Sequence, residues 1–348
     1  MHRHDSRIIR IAFLTFVVLA ALPLIAADEP YHLLKEIPVG GDGGWDCLSV
    51  DQGTHRLYVP HASKVIVIDL AEDKVVGEVG DTPGVHDFEV APDTGKGYSS
   101  NGRENKVSMV DLKTLKTISK VPAGESPDVE LYEPSQKEIY VFNGRGQSAT
   151  VLAGDSGKVV TTVTLPGKPE FAAVDPKAGQ VYINLEDKSQ VGVIDVKTHQ
   201  VVKTWPIAPG EEASGMAFDS KNHRLFLACG NKMMVMMDSS SGNVVTTAPI
   251  GGRVDGAAFD PETQLAFIPS GEGNVTIVHE DSPDKVSVVQ SLKTETGART
   301  MALDPVTHKI YLPSAKFEPQ AAQTPGGQRQ RPKMVPDTFK VLVYGMSK

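Results

Sequence analysis

The chain has 348 residues, enough for two average domains or one large all-β domain, and its 40% hydrophobic content excludes wholesale disorder. Thirty-five Lys and Arg against 43 Asp and Glu give a formal charge of −8, which argues against a protein built around duplex nucleic acid. Gly 32 and Pro 24 make up about a sixth of the chain, a turn-rich proportion that favours short strands over long helices, and two cysteines cannot form a disulfide framework.

At the N-terminus Arg3, Arg7 and Arg10 precede an apolar run from Ile11 to Ile25 that ends in Ala26 and Ala27. A basic region, an apolar region and small residues in that order read as a secretory signal, with cleavage expected after Ala27. The run is shorter than the roughly 20 residues of a spanning helix, and no second such segment follows, so no transmembrane segment is expected after cleavage. Removing three Arg and Asp5 takes the charge from −8 to −10. The expected organisation is therefore a signal peptide over 1–27 and one domain over 28–348, exported to the periplasm or secreted, and monomeric.

Self-similarity dominates the remainder. Short aromatic segments recur as RLYV, KGYS, EIYV, QVYI, RLFL, LAFI and KIYL, centred on Tyr58, Tyr98, Tyr140, Tyr182, Phe226, Phe267 and Tyr311, and spaced 40, 42, 42, 44, 41 and 44 residues apart. Each is preceded by an apolar strand such as FAAVD. Most are followed by a strand ending in Asp, at Asp69, Asp111, Asp195 and Asp238, then by a turn and a further strand. Four strands per unit of about 40–45 residues predict the blade of a β-propeller. The fold class expected is all-β, a seven-bladed propeller of four-stranded antiparallel blades. The last repeat lacks its outer strand, and HLLKEIPV at 32–39 is an orphan strand, so the ring is expected to close by the N-terminal strand joining the last blade. Between Pro313 and Phe339 the final blade carries a Pro-, Gln- and Gly-rich stretch, about 315–338, expected to be an exposed, mobile loop.

RLYVPHASKVIVIDLAEDKVVGEV and QVYINLEDKSQVGVIDVKTHQVVKTW resemble the YVTN-type β-propeller proteins, exported bacterial and archaeal propellers that include the YncE-like proteins. The resemblance covers nearly all of the chain after the leader. It implies a seven-bladed propeller in the exported space, and because the motif consists of strand and turn residues it implies no particular activity. Departures are Ala153 in place of the strand-ending Asp, the Met-rich fifth repeat, and the long stretch in the seventh.

In a four-stranded meander, the loops entering the innermost strands share one face with the loops after the second strands. Turns such as DQGTH, DSKNH and DPVTH fall on the opposite face, where His55, His223 and His308 are expected to be solvated. Counting five residues back from Asp51, Pro92, Glu133, Asp175, Asp219, Asp260 and Asp304 gives Asp46, Asp87, Asp128, Glu170, Ser214, Asp255 and Arg299 at the channel mouth. Carboxylates so crowded need a cation, protonation, water or Arg299 to coexist. Asp46, Asp87, Asp128, Glu170 and Asp255 are candidate ligands for Ca²⁺ or another divalent cation, although no cofactor is required. Around them Trp45, His61, His86, Asn101, Arg103, Asn143, Arg145 and Lys188 are candidate ligand-binding residues, with Asn231 and Lys232 nearby, and the basic rim suits an anionic group. No CxxCH, GxSxG, Walker or GxGxxG motif is present, and the run Lys232–Asp238 reads as core filling, with Met234 and Met236 on one sheet face and Met237 on the other.

The function expected is a non-enzymatic exported binding or scaffold protein, taking a small ligand, an envelope component or a protein partner at this face; nucleic acid is disfavoured. The alternative is a lactonase-like hydrolase with a divalent metal in the channel, Asn101 or Asn143 as co-ligands and His86 as the base.

Overall fold

A computed structural model describes residues 31–318 and 333–346. The expected leader lies outside these residues, as does 319–332 of the expected mobile loop. Seven four-stranded antiparallel sheets follow one another around a ring. Blade two is representative, running through Val85–Ala91, Lys96–Asn101, Lys106–Asp111 and Lys116–Pro122 from the innermost strand outward. Among the described residues no helix is long and apolar enough to cross a membrane.

The recurrent aromatics explain why blades stand side by side. Tyr58, Tyr98, Tyr140, Tyr182, Phe226, Phe267 and Tyr311 are all buried. Several pack on the inner strand of the following blade: Tyr58 stacks on Phe88 at 4.5 Å, Tyr182 meets Phe218 at 5.7 Å, and Phe226 stacks on Phe259 at 5.0 Å. A sheet buried on both faces must be apolar on both faces, which is why the second and third strands read as near-continuous hydrophobic runs. Met234 and Met236 fill the layer between blades five and six, and Met237 fills the layer between blades four and five. Cys47 and Cys229 are free and buried.

The ring closes as its repeats require. The strand Tyr31–Pro38 pairs antiparallel with Lys340–Met346 and so becomes the outer strand of blade seven. Tyr31 anchors the seam. Its ring meets Phe267 edge-on at 5.1 Å, its hydroxyl donates to the His308 carbonyl at 2.7 Å, and its backbone pairs with the Gln290 side-chain amide.

The repeated acids are turn formers. Asp69, Asp111, Asp195 and Asp238 each accept the backbone N–H groups two and three residues on, and this donation holds Asp69, Asp111 and Asp195 below the ordinary carboxylate range. Asp175, Asp219 and Glu133 do the same on the inner hairpins. In the same face His308 departs from the expected solvated role: its Nδ1 lies 2.6 Å from the buried Asp260 and ties blade seven to blade six. The described ends of the stretch at 315–338 pair with one another. Phe317 bridges Met334 and packs with Trp45, because the flanking aromatics find an apolar seam between blades seven and one.

A polar channel mouth with an Asp–His–Asp cluster

The inner hairpins fix which residues are equivalent from blade to blade. Their end pairs are Asp51–Arg56, Ala91–Lys96, Glu133–Glu138, Asp175–Gln180, Asp219–Arg224, Asp260–Leu265 and Asp304–Lys309. Blade two therefore ends on Ala91, not Pro92, and five residues back from it stands His86, not Asp87. The corrected mouth is Asp46, His86, Asp128, Glu170, Ser214, Asp255 and Arg299. In blades two to five the ladder shifts register at this point, between Val85 and Phe88, Pro127 and Glu130, Pro169 and Ala172, and Ala213 and Gly215. A bulge of this kind re-aims a side chain that simple alternation would send elsewhere.

Asp87 leaves the mouth because backbone amides hold it inside. Its carboxylate accepts Phe88 N–H at 2.8 Å and Glu130 N–H at 2.9 Å, and burial pushes its pKa up to about 7. It is thus withdrawn from the expected cation ligands. Asn101 and Asn143 are withdrawn likewise. The Asn101 amide donates to Ser108 at 2.8 Å and to Glu104 at 3.1 Å, and that of Asn143 donates to Ser148 and Thr150, so both close loops within their own blades.

The remaining acids fall into two groups. Asp255 is paired with Arg299 at 3.0 Å, and Glu170 with Lys168 at 2.5 Å, Lys168 also reaching Glu186. Asp46 and Asp128 have no Lys or Arg partner among the described residues and face His86 instead. His86 Nδ1 lies 2.7 Å from Asp46 Oδ2 and 3.6 Å from Asp128 Oδ1. The bond to Asp46 outweighs burial and pushes the imidazole up to about 9. Burial pushes Asp128 up to about 6, with His86 pulling the other way. Gly102 seats the imidazole, since a Cβ there would come within 2.8 Å of its Cδ2 and Nε2. Lys168, the counter-ion of the Glu170 position, was not singled out by sequence reasoning. Its signal was a basic residue two places before a mouth acid.

The rim is mixed rather than basic. Lys188 is paired with Asp187 at 2.9 Å and Lys232 with Glu272 at 2.8 Å, while Asn231 donates to the Pro209 carbonyl. Arg103 and Arg145 stand exposed on adjacent blades, without ion-pair partners among the described residues. His61 is not on the rim: it is 1% exposed and stacks on Phe339 at 4.1 Å, and burial pushes its pKa down. Trp45, the bridge partner of His61, also stacks on Phe339, at 5.2 Å.

Seven four-stranded blades closed by a shared terminal strand, with a polar set at one mouth, define a seven-bladed β-propeller. The chain is 26% identical over 148 residues to the uncharacterized protein YncE of Salmonella typhi, and equally to that of Salmonella typhimurium strain LT2. The match covers 41% of this chain and 42% of each relative, so the similarity spans less than half the length of either protein. Sequence similarity and the seven-bladed ring together support a YncE-like β-propeller. No family model matches. Among solved structures, a chain of Kuenenia stuttgartiensis hydrazine synthase superposes with a TM-score of 0.68 at 18% identity, covering 79% of this chain and 94% of that one. A chain of the mitotic checkpoint complex gives 0.69 at 14% identity, covering 88% and 95%. Likeness at such identities shows the fold alone.

Proposed function

We propose that this protein is an exported binding module that takes a small hydroxyl- or amine-bearing molecule at the channel mouth. One observation carries the reading: all seven blade-equivalent mouth positions are polar, whereas the residues just before them, such as Val85, Pro127, Pro169, Ala213 and Val254, are apolar. A core-forming strand end has no need of such alternation, but a site that bonds a polar ligand does. The four carboxylates accept hydrogen bonds from hydroxyl or ammonium groups. Arg103 and Arg145, both without ion-pair partners among the described residues, suit an anionic end of the same molecule.

The lactone-hydrolysing alternative is weaker, because its expected base is already engaged by Asp46, 2.7 Å from its Nδ1. Its co-ligands Asn101 and Asn143 are bonded within their blades.

The test is calorimetric titration of the purified protein with polyols, amino sugars and sugar acids. Saturable binding is expected, weakened about tenfold, or 1.4 kcal/mol, by Asp255→Asn and selectively weakened for sugar acids by the double variant Arg103→Ala, Arg145→Ala. No heat from any of the three classes, or affinity indifferent to both variants, would remove the mouth as the binding site. Export is tested separately by the N-terminal mass of protein from the extracytoplasmic fraction, which is expected to begin at Asp28.

A further inference from the structure

We infer that Asp46, His86 and Asp128 form a site for one first-row divalent transition-metal ion of the Zn²⁺ class, held on three successive blades at the channel mouth. The inference deepens the proposed binding face and shares its location, but it stands on different residues from those that test it above.

The geometry is the first support. One ligand atom from each of the three side chains lies within 4.8 Å of the other two. Ligand atoms sharing a tetrahedral or octahedral ion at about 2.0–2.1 Å stand roughly 3.0–3.4 Å apart. The observed 2.7 Å from His86 Nδ1 to Asp46 and 3.6 Å to Asp128 bracket that spacing, so small side-chain rotations suffice. The second support is orientation. Gly102 leaves room for the imidazole where any Cβ would clash, and the ring so placed directs Nδ1 toward both carboxylates.

The third support is the distribution of charge. Glu170 and Asp255 have private counter-ions in Lys168 and Arg299. The two carboxylates that lack a Lys or Arg partner among the described residues are the two that flank His86, so an ion that displaces the Nδ1 proton of His86 to solvent meets the two acids of the mouth without a Lys or Arg counter-ion. An imidazole among them selects against the Ca²⁺ expected from sequence, since hard cations take all-oxygen shells, whereas mixed N/O sets suit Zn²⁺, Mn²⁺ and Co²⁺. Three protein ligands leave further coordination positions facing the channel. A hydroxyl- or amine-bearing molecule at the mouth can fill them, which would couple the two sites.

Chelator-dialysed protein is titrated calorimetrically with Zn²⁺, Co²⁺, Mn²⁺ and Ca²⁺, and Cu²⁺ is used as a spectroscopic probe by electron paramagnetic resonance. One ion per chain is expected, with Zn²⁺ at least about tenfold tighter than Ca²⁺. His86→Gln and Asp128→Asn should each weaken Zn²⁺ about tenfold or more. Coupling of Cu²⁺ to a single nitrogen should vanish in His86→Gln. Absence of saturable Zn²⁺ binding below about 1 mM, preference for Ca²⁺, or Zn²⁺ affinity unchanged in both His86→Gln and Asp128→Asn overturns the site. The organic-ligand titration on metal-free protein is read independently. Loss of the metal result with that binding intact sinks this inference alone, and the reverse sinks only the proposed function.

Discussion

At each inner hairpin the residue four places after the strand-ending position has a left-handed backbone: His55, Gly95, Lys137, Gly179, His223, Gln264 and His308 all have φ between 54° and 66°. Such a turn needs one residue at positive φ to bring the second strand into register, and only glycine adopts it without steric cost. The consequence can be isolated at Gly95, where an added Cβ would meet nothing within 4 Å. Gly95→Val should therefore cost about 1–2 kcal/mol through backbone conformation alone, and Gln264→Gly should be neutral or stabilising by up to about 1 kcal/mol. Urea unfolding midpoints of the two variants check this. A Gly95→Val protein as stable as the parent would mean that the turn relaxes to another geometry.

Among the described strands, the closing one carries the most distinct burden, because its pairing joins chain segments some 300 residues apart in sequence. Tyr31 is 0% exposed and bonds to both blade six and blade seven. Tyr31→Ala should cost roughly 3–5 kcal/mol, the range for removing a buried aromatic, and should accelerate proteolysis of the outer strand. A shift below about 1 kcal/mol in urea unfolding would show that the seam does not depend on this anchor. This strand was legible from the sequence, as were the seven aromatics, because every layer between blades repeats the same packing problem and leaves a periodic trace. The mouth was legible in part. Counting from hairpin ends found six of its seven residues, and it slipped in blade two because the strand-ending position there is Ala91 rather than an acid. Which of these side chains converge is set by bulges and by Gly102, features of the backbone that leave no alternation pattern to read. The fates of Asn101, Asn143 and His61 were hidden for a related reason: a polar residue at a strand end looks the same in sequence whether it faces solvent or closes its own loop.

Taken as a ring, each blade is buried between two neighbours, so a change at one seam is expected to register in the melting of the whole. The seam between blades five and six holds a titrating example. Glu280 is 1% exposed, lies against Asp219 and accepts from Asn222 Nδ2 at 3.2 Å; burial and the Asp219 charge push its pKa up to about 7. In the unfolded chain a glutamate titrates near 4.3, so the folded state binds this proton more tightly. The stabilisation is then full below about pH 4 and is lost as pH rises through about 7, the opposite of the usual ion-paired carboxylate. Melting temperature should accordingly fall between pH 5 and pH 8, by roughly 2 °C for each kcal/mol lost in a chain of this size. Glu280→Gln keeps the shape and the bond with Asn222 while removing the charge, so it should flatten that part of the profile and leave the protein more stable than the parent at pH 8. Parallel melting curves for the parent and Glu280→Gln at pH 5, 6, 7 and 8 decide the matter. Superimposable pH profiles would mean that Glu280 ionises freely and that the seam admits water.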